Sequence, residues 1–454
     1  MKKTPQSLLI VMLLIANEII SYGNNGFGRS TVSSSGPGMT IVTYVTNNEQ
    51  VRQAGTLIRS LRKNGGKLGG SDVYIVVTDT MLDLTVLEHD SITHFLDIDI
   101  ERSFLRYPLA VKAFAGAQVE KILPQNSVLA WFDPETIILS PPSDLLPGKN
   151  EKVVIQPVFQ SNTISQAPGN PLNDYWKPIY DKLALDPASV PVVESAVDRQ
   201  KMLAYYNCEI FSARASAGIF SEWTSVLEDL LHDTVYSFSV CNTYQRRLFL
   251  HQAVLSAVIS KNIRPSEIKT LPLRSGYPLH SYTRLPEERK AASLNDVSCA
   301  ILENLWSTNP GWIKEVKADE PLMAWLEEEY LRYMEIGPGL FRQEGSCNSY
   351  LVVTGDSSVI IDPAGAVSFP YWFEKVLAKK PLAAMMLTHG HNDHRDNLSY
   401  WNKGRDIPVT GQGELKEFVA YNDMLGGFFA RRNAIWSGKT VPETWEKTVT
   451  DPGV

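Results

Sequence analysis

Cysteine is scarce in this sequence, with four residues, Cys208, Cys241, Cys299 and Cys347, too far apart for a disulfide scaffold or a C-x-x-C zinc site. A single bridge between Cys208 and Cys241 stays open beside the alternative of buried free thiols. A basic surplus is missing as well. The 43 lysines and arginines face 50 acids, for a formal charge of −7, and no basic run is long enough to follow a phosphate backbone. Nucleic acid is thereby excluded as a partner. Neither a G-x-x-x-x-G-K-[ST] nor a strand-borne G-x-G-x-x-G occurs, so no phosphate loop or dinucleotide fingerprint is present. No G-x-S-x-G elbow and no Cys/His nucleophile pair points to acyl-enzyme chemistry. Collagen, coiled coil, disorder and a multi-span membrane protein are excluded by 44% hydrophobic and 20% charged residues.

What remains is a chain of 454 residues, long enough for two or three domains. Met1-Lys2-Lys3, the apolar stretch Leu8 to Ala16 and the small residues around Ser21-Tyr22-Gly23 read as an export signal over residues 1–23. Cleavage is expected on grounds of length, with an uncleaved anchor reaching Ile20 as the alternative. The mature protein is thus expected in the periplasm or outside the cell. Residues 24–38, rich in Gly, Ser and Asn, form a linker.

From Met39 the pattern turns α/β. Thr40 to Val45 and Asp72 to Val77 read as strands around a helix from Glu49 to Arg62, and a helix from Leu109 to Ile122 leads to the strand Ser127 to Phe132. Asp133-Pro134-Glu135 interrupts that strand before Thr136 to Leu139 resumes it. Such alternation predicts a parallel or mixed sheet with helices on its faces, over a first domain spanning 39–320. After an acidic helix, Glu320 to Met334, the pattern changes. Strands at Ser349 to Thr354, Ser358 to Asp362 and Leu382 to Thr388 open a second unit, 336–454.

Eight histidines would carry little weight if scattered, but three of them fall in Thr388-His389-Gly390-His391-Asn392-Asp393-His394, at the end of an apolar strand. Two residues apart in extended chain, His389 and His391 point to one side and can grip one ion. Asp393 and His394 can face a second. This motif resembles the H-x-H-x-D-H of the metallo-β-lactamase superfamily. Gly345 to Val353 and Val359 to Gly365 resemble that family's opening hairpin and acid-tipped strand, and Gly413 to Gly438 is similar to its alkylsulfatase-like branch. The resemblance implies the first half of an αββα sandwich and a metal set of His389, His391, Asp393 and His394. It makes Asp393 also the catalytic carboxylate, and Asp362 an outer contact orienting the ligands. One or two Zn²⁺ ions would then activate a water against a small-molecule ester or sulfate ester.

No histidine follows His394. The family completes its metal shells with ligands from a downstream half, so the resemblance implies incomplete shells, weak zinc binding and no turnover in this chain. A fragmentary gene model, a degenerate protein and completion by another chain all explain this, and the fragment is favoured.

A second resemblance covers residues 39 to 300. Lys112-Ala-Phe, Val128 to Asp133-Pro-Glu135, and Ser143 to Leu146 resemble the middle of nucleotide-sugar glycosyltransferases of the GT-A fold. There a strand-end D-x-D holds Mn²⁺ or Mg²⁺ against a diphosphate. Here the motif is D-x-E, Asp133 and Glu135, which a solvated turn would equally supply. Tyr206 to Phe211, His251-Gln252 and Pro278 to His280 follow in the order those enzymes show. Export would separate such a domain from cytosolic nucleotide sugars. Two readings therefore stand: a zinc-dependent hydrolase, alkylsulfatase-like, behind a GT-A-like domain, and a glycosyltransferase-like or glycan-binding protein with a remnant hydrolase unit.

Overall fold

A computed structural model describes residues 38–79, 81–87, 89–305, 311–343, 347–364, 369–389, 391–395 and 397–411. The expected signal, nearly all of the linker and the similarity assigned to Gly413 to Gly438 lie outside the described residues. Among the described residues no helix is long and apolar enough to cross a membrane.

The first sheet is built from β1 (Thr40–Val45), β2 (Val73–Val77), β3 (Thr93–Asp97), β4 (Val128–Phe132), β6 (Val153–Ile155), β9 (Ile210–Arg214) and β10 (Ile268–Thr270). Their order is β10-β6-β9-β4-β1-β2-β3. It is mixed, as expected of a GT-A-like domain: β1 runs parallel to β2 and β4, while β9 runs antiparallel to both β4 and β6. Helices α1 (Asn48–Asn64), α2 (Val111–Glu120), α3 (Trp176–Leu183), α4 (Ile219–His232), α5 (Tyr244–Leu248) and α6 (Leu250–Asn262) surround it. Strand β4 shows why the sheet is covered on both sides. Leu129 and Trp131 enter the core under α2, α4 and α6, while Val128, Ala130 and Phe132 enter the one under α1, as the alternation of side chains along a strand requires. Asn47 caps α1 by accepting from the Gln50 N–H at 2.9 Å, and Glu49 lies in its positively polarised first turn. Gly116 lets α2 lie against α4, since a Cβ there would fall 2.1 Å from the Phe220 ring.

Two smaller sheets follow. A hairpin pairs β7 (Val192–Glu194) with β8 (Lys201–Leu203). The other joins β5 (Thr136–Ile138) to β12 (Cys299–Ile301) and β11 (Tyr277–Pro278). Sequence continuity makes β5 the resumption of β4, but the chain changes sheets at Asp133-Pro134-Glu135. Pro134 has no N–H to donate to a ladder, and beyond it β5 pairs with β12.

The third sheet is β13 (Glu335–Gly337), β14 (Leu340–Gln343), β15 (Ser349–Thr354), β16 (Ser357–Ile361), β17 (Leu382–Met386) and β18 (Val409–Thr410), in sequence order. It is antiparallel up to β16 and parallel from there to β18. Helices α7 (Trp312–Glu315), α8 (Leu322–Met334), α9 (Phe369–Leu377) and α10 (Leu398–Asn402) accompany it.

The helix α8, the acidic helix after which the sequence pattern changes, is a core element. Trp325, Leu326, Tyr330 and Met334 belong to one cluster with Ile137, Tyr277 and Ala300 of the small sheet and with Leu351, Ile360 and Met385 of the third. Hydrophobic packing therefore runs without a break across the boundary at 320–336. Polar contacts reinforce it. Arg59 Nε of α1 lies 2.8 Å from Glu329 of α8, whose side chain is 3% exposed, the Tyr333 hydroxyl donates to Glu49, and Arg342 of β14 reaches Glu49 at 3.2 Å.

Replacing Glu329 by alanine strands the Arg59 guanidinium, which is itself only 16% exposed. The expected loss is about 3 kcal/mol, read from urea unfolding by tryptophan fluorescence as one cooperative transition. A separate melting step for the third sheet would contradict the shared core.

Candidate functional site

The histidine motif emerges at the C-terminal end of β17, the strand that β16 and β18 hold from either side. His389 Nε2 lies 3.0 Å from His391 Nδ1, and the ring centres of His389 and His394 are 3.8 Å apart. Zn–N bonds of about 2.0–2.1 Å at a tetrahedral angle separate two ligand nitrogens by about 3.3 Å. The His389 and His391 nitrogens thus fit a shared ion. Asp393, its side chain 48% exposed, has Oδ2 3.9 Å from His394 Nε2.

Asp362 lies under this cluster, 4% exposed, at the end of β16. Its backbone takes the left-handed conformation, φ 49°, which Asp and Asn adopt more readily than other non-glycine residues. Both carboxylate oxygens are engaged. Oδ1 accepts from the Thr388 N–H at 2.8 Å, while Oδ2 accepts from the Thr388 hydroxyl at 2.6 Å and lies 3.0 Å from His394 Nδ1. Such an arrangement fixes the ring of a metal-binding histidine.

Cys347 joins the cluster from the segment just before β15. Its Sγ is 3.1 Å from His394 Nδ1, and Cys347, Asp362 and His394 offer donor atoms that all lie within 4.8 Å of one another. Cysteine spacing carries no metal signal, yet the fold brings Cys347 beside this cluster. No spacing rule could have found it, because 42 positions of chain separate it from His389. Burial and the Asp362 and Asp393 carboxylates push its thiol up to about 11.

The first domain gathers a second set of groups where β4 ends and β5 begins. The Asp133 N–H donates to the Glu209 carbonyl, and the Leu302 N–H to that of Glu135, so the strand pairings zip four acids together: Asp133, Glu135, Glu209 and Glu303. Glu303 also carries a left-handed backbone, φ 45°. His280, from the end of β11, lies 3.2 Å from Glu303. Asp133 and Glu135 are brought to one place, but their duties differ. Asp133 Oδ2 meets the buried Lys112 ammonium at 2.5 Å, and Oδ1 accepts from Trp131 Nε1 at 2.8 Å. Both oxygens of the first acid in D-x-E are therefore committed to protein donors, and the residues do not fit an ion held through Asp133.

The other carboxylates carry excess negative potential. Burial, with Asp133, Glu303 and Glu209 nearby, pushes Glu135 up to about 7. Burial and Glu303 raise Glu209 as well, and burial raises Glu303. Lys112, Glu209 and Glu303 were assigned no role by sequence. Each lies next to a motif residue only through strand pairing or helix packing.

His251 is a packing residue. Its Nδ1–H donates to the Leu248 carbonyl at 2.9 Å and its Nε2 lies 3.0 Å from Cys208 Sγ, while burial holds its pKa well below the usual imidazole range. Cys208 and Cys241 are both buried and free, which removes the bridge considered between them.

Residues 41–262 match the model of the Rhodobacterales glycosyltransferase domain, and residues 342–453 match that of the metallo-β-lactamase superfamily. The chain thus carries a glycosyltransferase domain towards its N-terminus and a metallo-β-lactamase domain towards its C-terminus. No curated protein matches it. Among solved structures it is similar to the bifunctional glycosyltransferase WbbM, at 12% identity and a TM-score of 0.37, over 68% of this chain and 51% of that one. It is also similar to the galactosyltransferase LgtC, solved with donor and acceptor sugar analogues, at 11% identity and a TM-score of 0.36, over 65% of this chain and 95% of that one.

The raised carboxyl of Glu135 has a consequence for stability. Between the ordinary range near 4.5 and about 7 the folded chain keeps a proton that the unfolded chain has lost, so stability falls as pH rises through that window. Glu135→Gln is expected to raise the thermal midpoint by a few degrees at pH 8 and to leave it unchanged at pH 4.5. Equal midpoints at both pH values would contradict the burial of this charge.

Proposed function

We propose that the protein is an exported, zinc-dependent hydrolase whose reaction centre is the His389, His391, Asp393 and His394 cluster, acting on small-molecule esters or sulfate esters in the manner of alkylsulfatases. The observation that carries this reading is the placement of three imidazoles at one strand end, with His389 Nε2 and His391 Nδ1 3.0 Å apart and His394 held against the buried Asp362. Scattered surface histidines have no need of such a buried carboxylate.

His389 and His391 would hold one ion, and His394 turns its two nitrogens to different neighbours, Nδ1 to Asp362 and Nε2 to Asp393. When bound, zinc supplies a water of lowered pKa and polarises an ester oxygen. Thr388 fixes Asp362, Asp362 fixes the His394 ring, and Asp393, half exposed at the mouth, is placed to hold a proton released there. Export is supported by the two N-terminal lysines and the apolar stretch behind them.

A second reading concerns the first domain, where the match to a glycosyltransferase model and the acidic cluster of Glu135, Glu209, Glu303 with His280 favour a carbohydrate ligand. A cation there, Mn²⁺ or Mg²⁺, would be held by Glu135, Glu209 and Glu303 and not by Asp133.

With the metal shells completed by a supplied downstream half, the zinc-loaded protein is expected to hydrolyse an aryl ester or aryl sulfate, and His391→Ala to lower kcat/KM by at least about 100-fold with an unchanged thermal midpoint; without that half, weak zinc binding and no turnover are expected. Absence of hydrolysis on both substrate classes, with zinc bound, would sink the hydrolase assignment. Expression from Met1 in a secreting bacterium is expected to yield material whose N-terminus lies near Asn24, and recovery of Met1 would contradict export by cleavage.

A further inference from the structure

We propose that a cavity at the end of the small sheet remote from the acidic cluster is a binding site for an anionic sugar, one that carries a carboxylate, sulfate or phosphate group beside its free hydroxyls. The site uses neither the histidine motif nor Glu135, Glu209 and Glu303, and so stands apart from both readings above.

Strand directions create the cavity. β11 and β12 run parallel and enter the small sheet from one end, and β5, antiparallel to β12, leaves at that same end. Residues just before β11 and β12 therefore meet those just after β5. The Ser298 N–H donates to the Arg274 carbonyl and the Leu139 N–H to the Ser298 carbonyl, each at 2.8 Å. Extended chain from Glu135 to Ser140, at about 3.3 Å per residue, puts roughly 16 Å between the acidic cluster and this end. The cavity there has a volume of about 660 Å³, within the range of about 300–1,000 Å³ for small-molecule sites, and its lining includes Asp144, Arg274, Tyr277, Arg289, Lys290 and Ser298.

Its charged groups divide into fixed and available ones. Arg289 is part of the wall: its guanidinium donates to the Ser195 and Ala196 carbonyls at 3.0 and 2.6 Å and meets Glu194 at 2.9 Å. Asp296 is likewise engaged, accepting from the Ser293 N–H at 3.2 Å. Arg274 and Lys290 are held loosely. Arg274 touches Asp144 at 3.4 Å with its own side chain 66% exposed, and Lys290 pairs with Glu287, whose side chain is 86% exposed. Such pairs contribute little and give way to a ligand anion. Asp144 is held by a relay, in which the Ser298 hydroxyl donates to that of Ser275 at 2.9 Å and Ser275 donates to Asp144 Oδ2 at 2.6 Å. The Arg274 contact falls on the same oxygen, and among the described residues Oδ1 meets no donor. The buried Tyr277 hydroxyl accepts from the Ala291 N–H at 3.2 Å and keeps its own hydrogen to donate.

Two available cations call for an anion. The Asp144 carboxyl, held below its ordinary range by the Ser275 hydrogen bond and by Arg274, calls for a hydroxyl donor on the same ligand. A bare anion would be repelled by Asp144, and an uncharged sugar would leave Arg274 and Lys290 unused. Among the described residues no aromatic ring but that of Tyr277 lines the cavity, so nothing there stacks a nucleobase.

Isothermal titration of the full chain tests this, with EDTA present so that no metal site contributes. The probes are glucuronate, glucose 6-sulfate and glucose 6-phosphate, which tell the three anionic groups apart, with glucose and the bare anions acetate, sulfate and phosphate as controls. At least one charged sugar is expected to bind at least about tenfold more tightly than glucose and than its own bare anion. Arg274→Gln combined with Lys290→Gln should remove the advantage over glucose and leave the thermal midpoint in place, because the pairs it breaks are exposed. Glu135→Gln should keep the binding. The site would be overturned by charged sugars that bind no better than glucose, by bare anions that match them, by an advantage that survives the double substitution, or by binding that Glu135→Gln abolishes.

Discussion

A carboxylate buried at the end of a strand must find positive charge or hydrogen-bond donors, and both sites of this protein are organised by that demand. Asp133 ends β4 and meets Lys112, whose ammonium is itself buried and would be untenable without it. Asp362 ends β16 and meets two donors of Thr388 and the ring of His394. Remove either carboxylate and the groups around it lose the reason for their positions: an orphaned lysine in one case, an unanchored imidazole in the other. Where the demand is not fully met by donors, as for Glu209 and Glu303, burial and the neighbouring carboxylates raise the pKa.

The two solutions have opposite consequences. At Asp133 the internal lysine satisfies the acid completely, so the D-x-E turn keeps its shape but spends its first carboxylate on structure. Any cation reaching that acidic cluster must be attracted by Glu135, Glu209 and Glu303, whose raised pKa values reflect burial and one another's charge. At Asp362 the partners are the Thr388 N–H and hydroxyl and the His394 imidazole, so the acid orients a histidine and does not close an ion pair with a lysine. The same physical requirement yields a closed ion pair in one domain and an oriented imidazole in the other.

The connection between the domains is as physical as the sites. Helix α8 buries Trp325, Leu326, Tyr330 and Met334 between the small sheet and the third sheet, and Glu329 ties it to Arg59 of α1. The glycosyltransferase and metallo-β-lactamase parts therefore share a core, and a change in one is felt as packing strain in the other.

By itself the sequence determined the local features: β-branched runs at 40–45 and 72–77, helical spacing over 49–62, and an H-x-H-x-D-H segment closing an apolar strand. These depend on periodicity and on residue types within a few positions, which a linear reading contains. The tertiary structure decided the rest. That Pro134 sends β5 into another sheet, that Glu209 and Glu303 flank Glu135, that Lys112 consumes Asp133 and that Cys347 reaches His394 all follow from pairings between residues tens to hundreds of positions apart. Strand register and helix packing set those distances, and no pattern along the chain encodes which of many acids, lysines or thiols will share one buried volume.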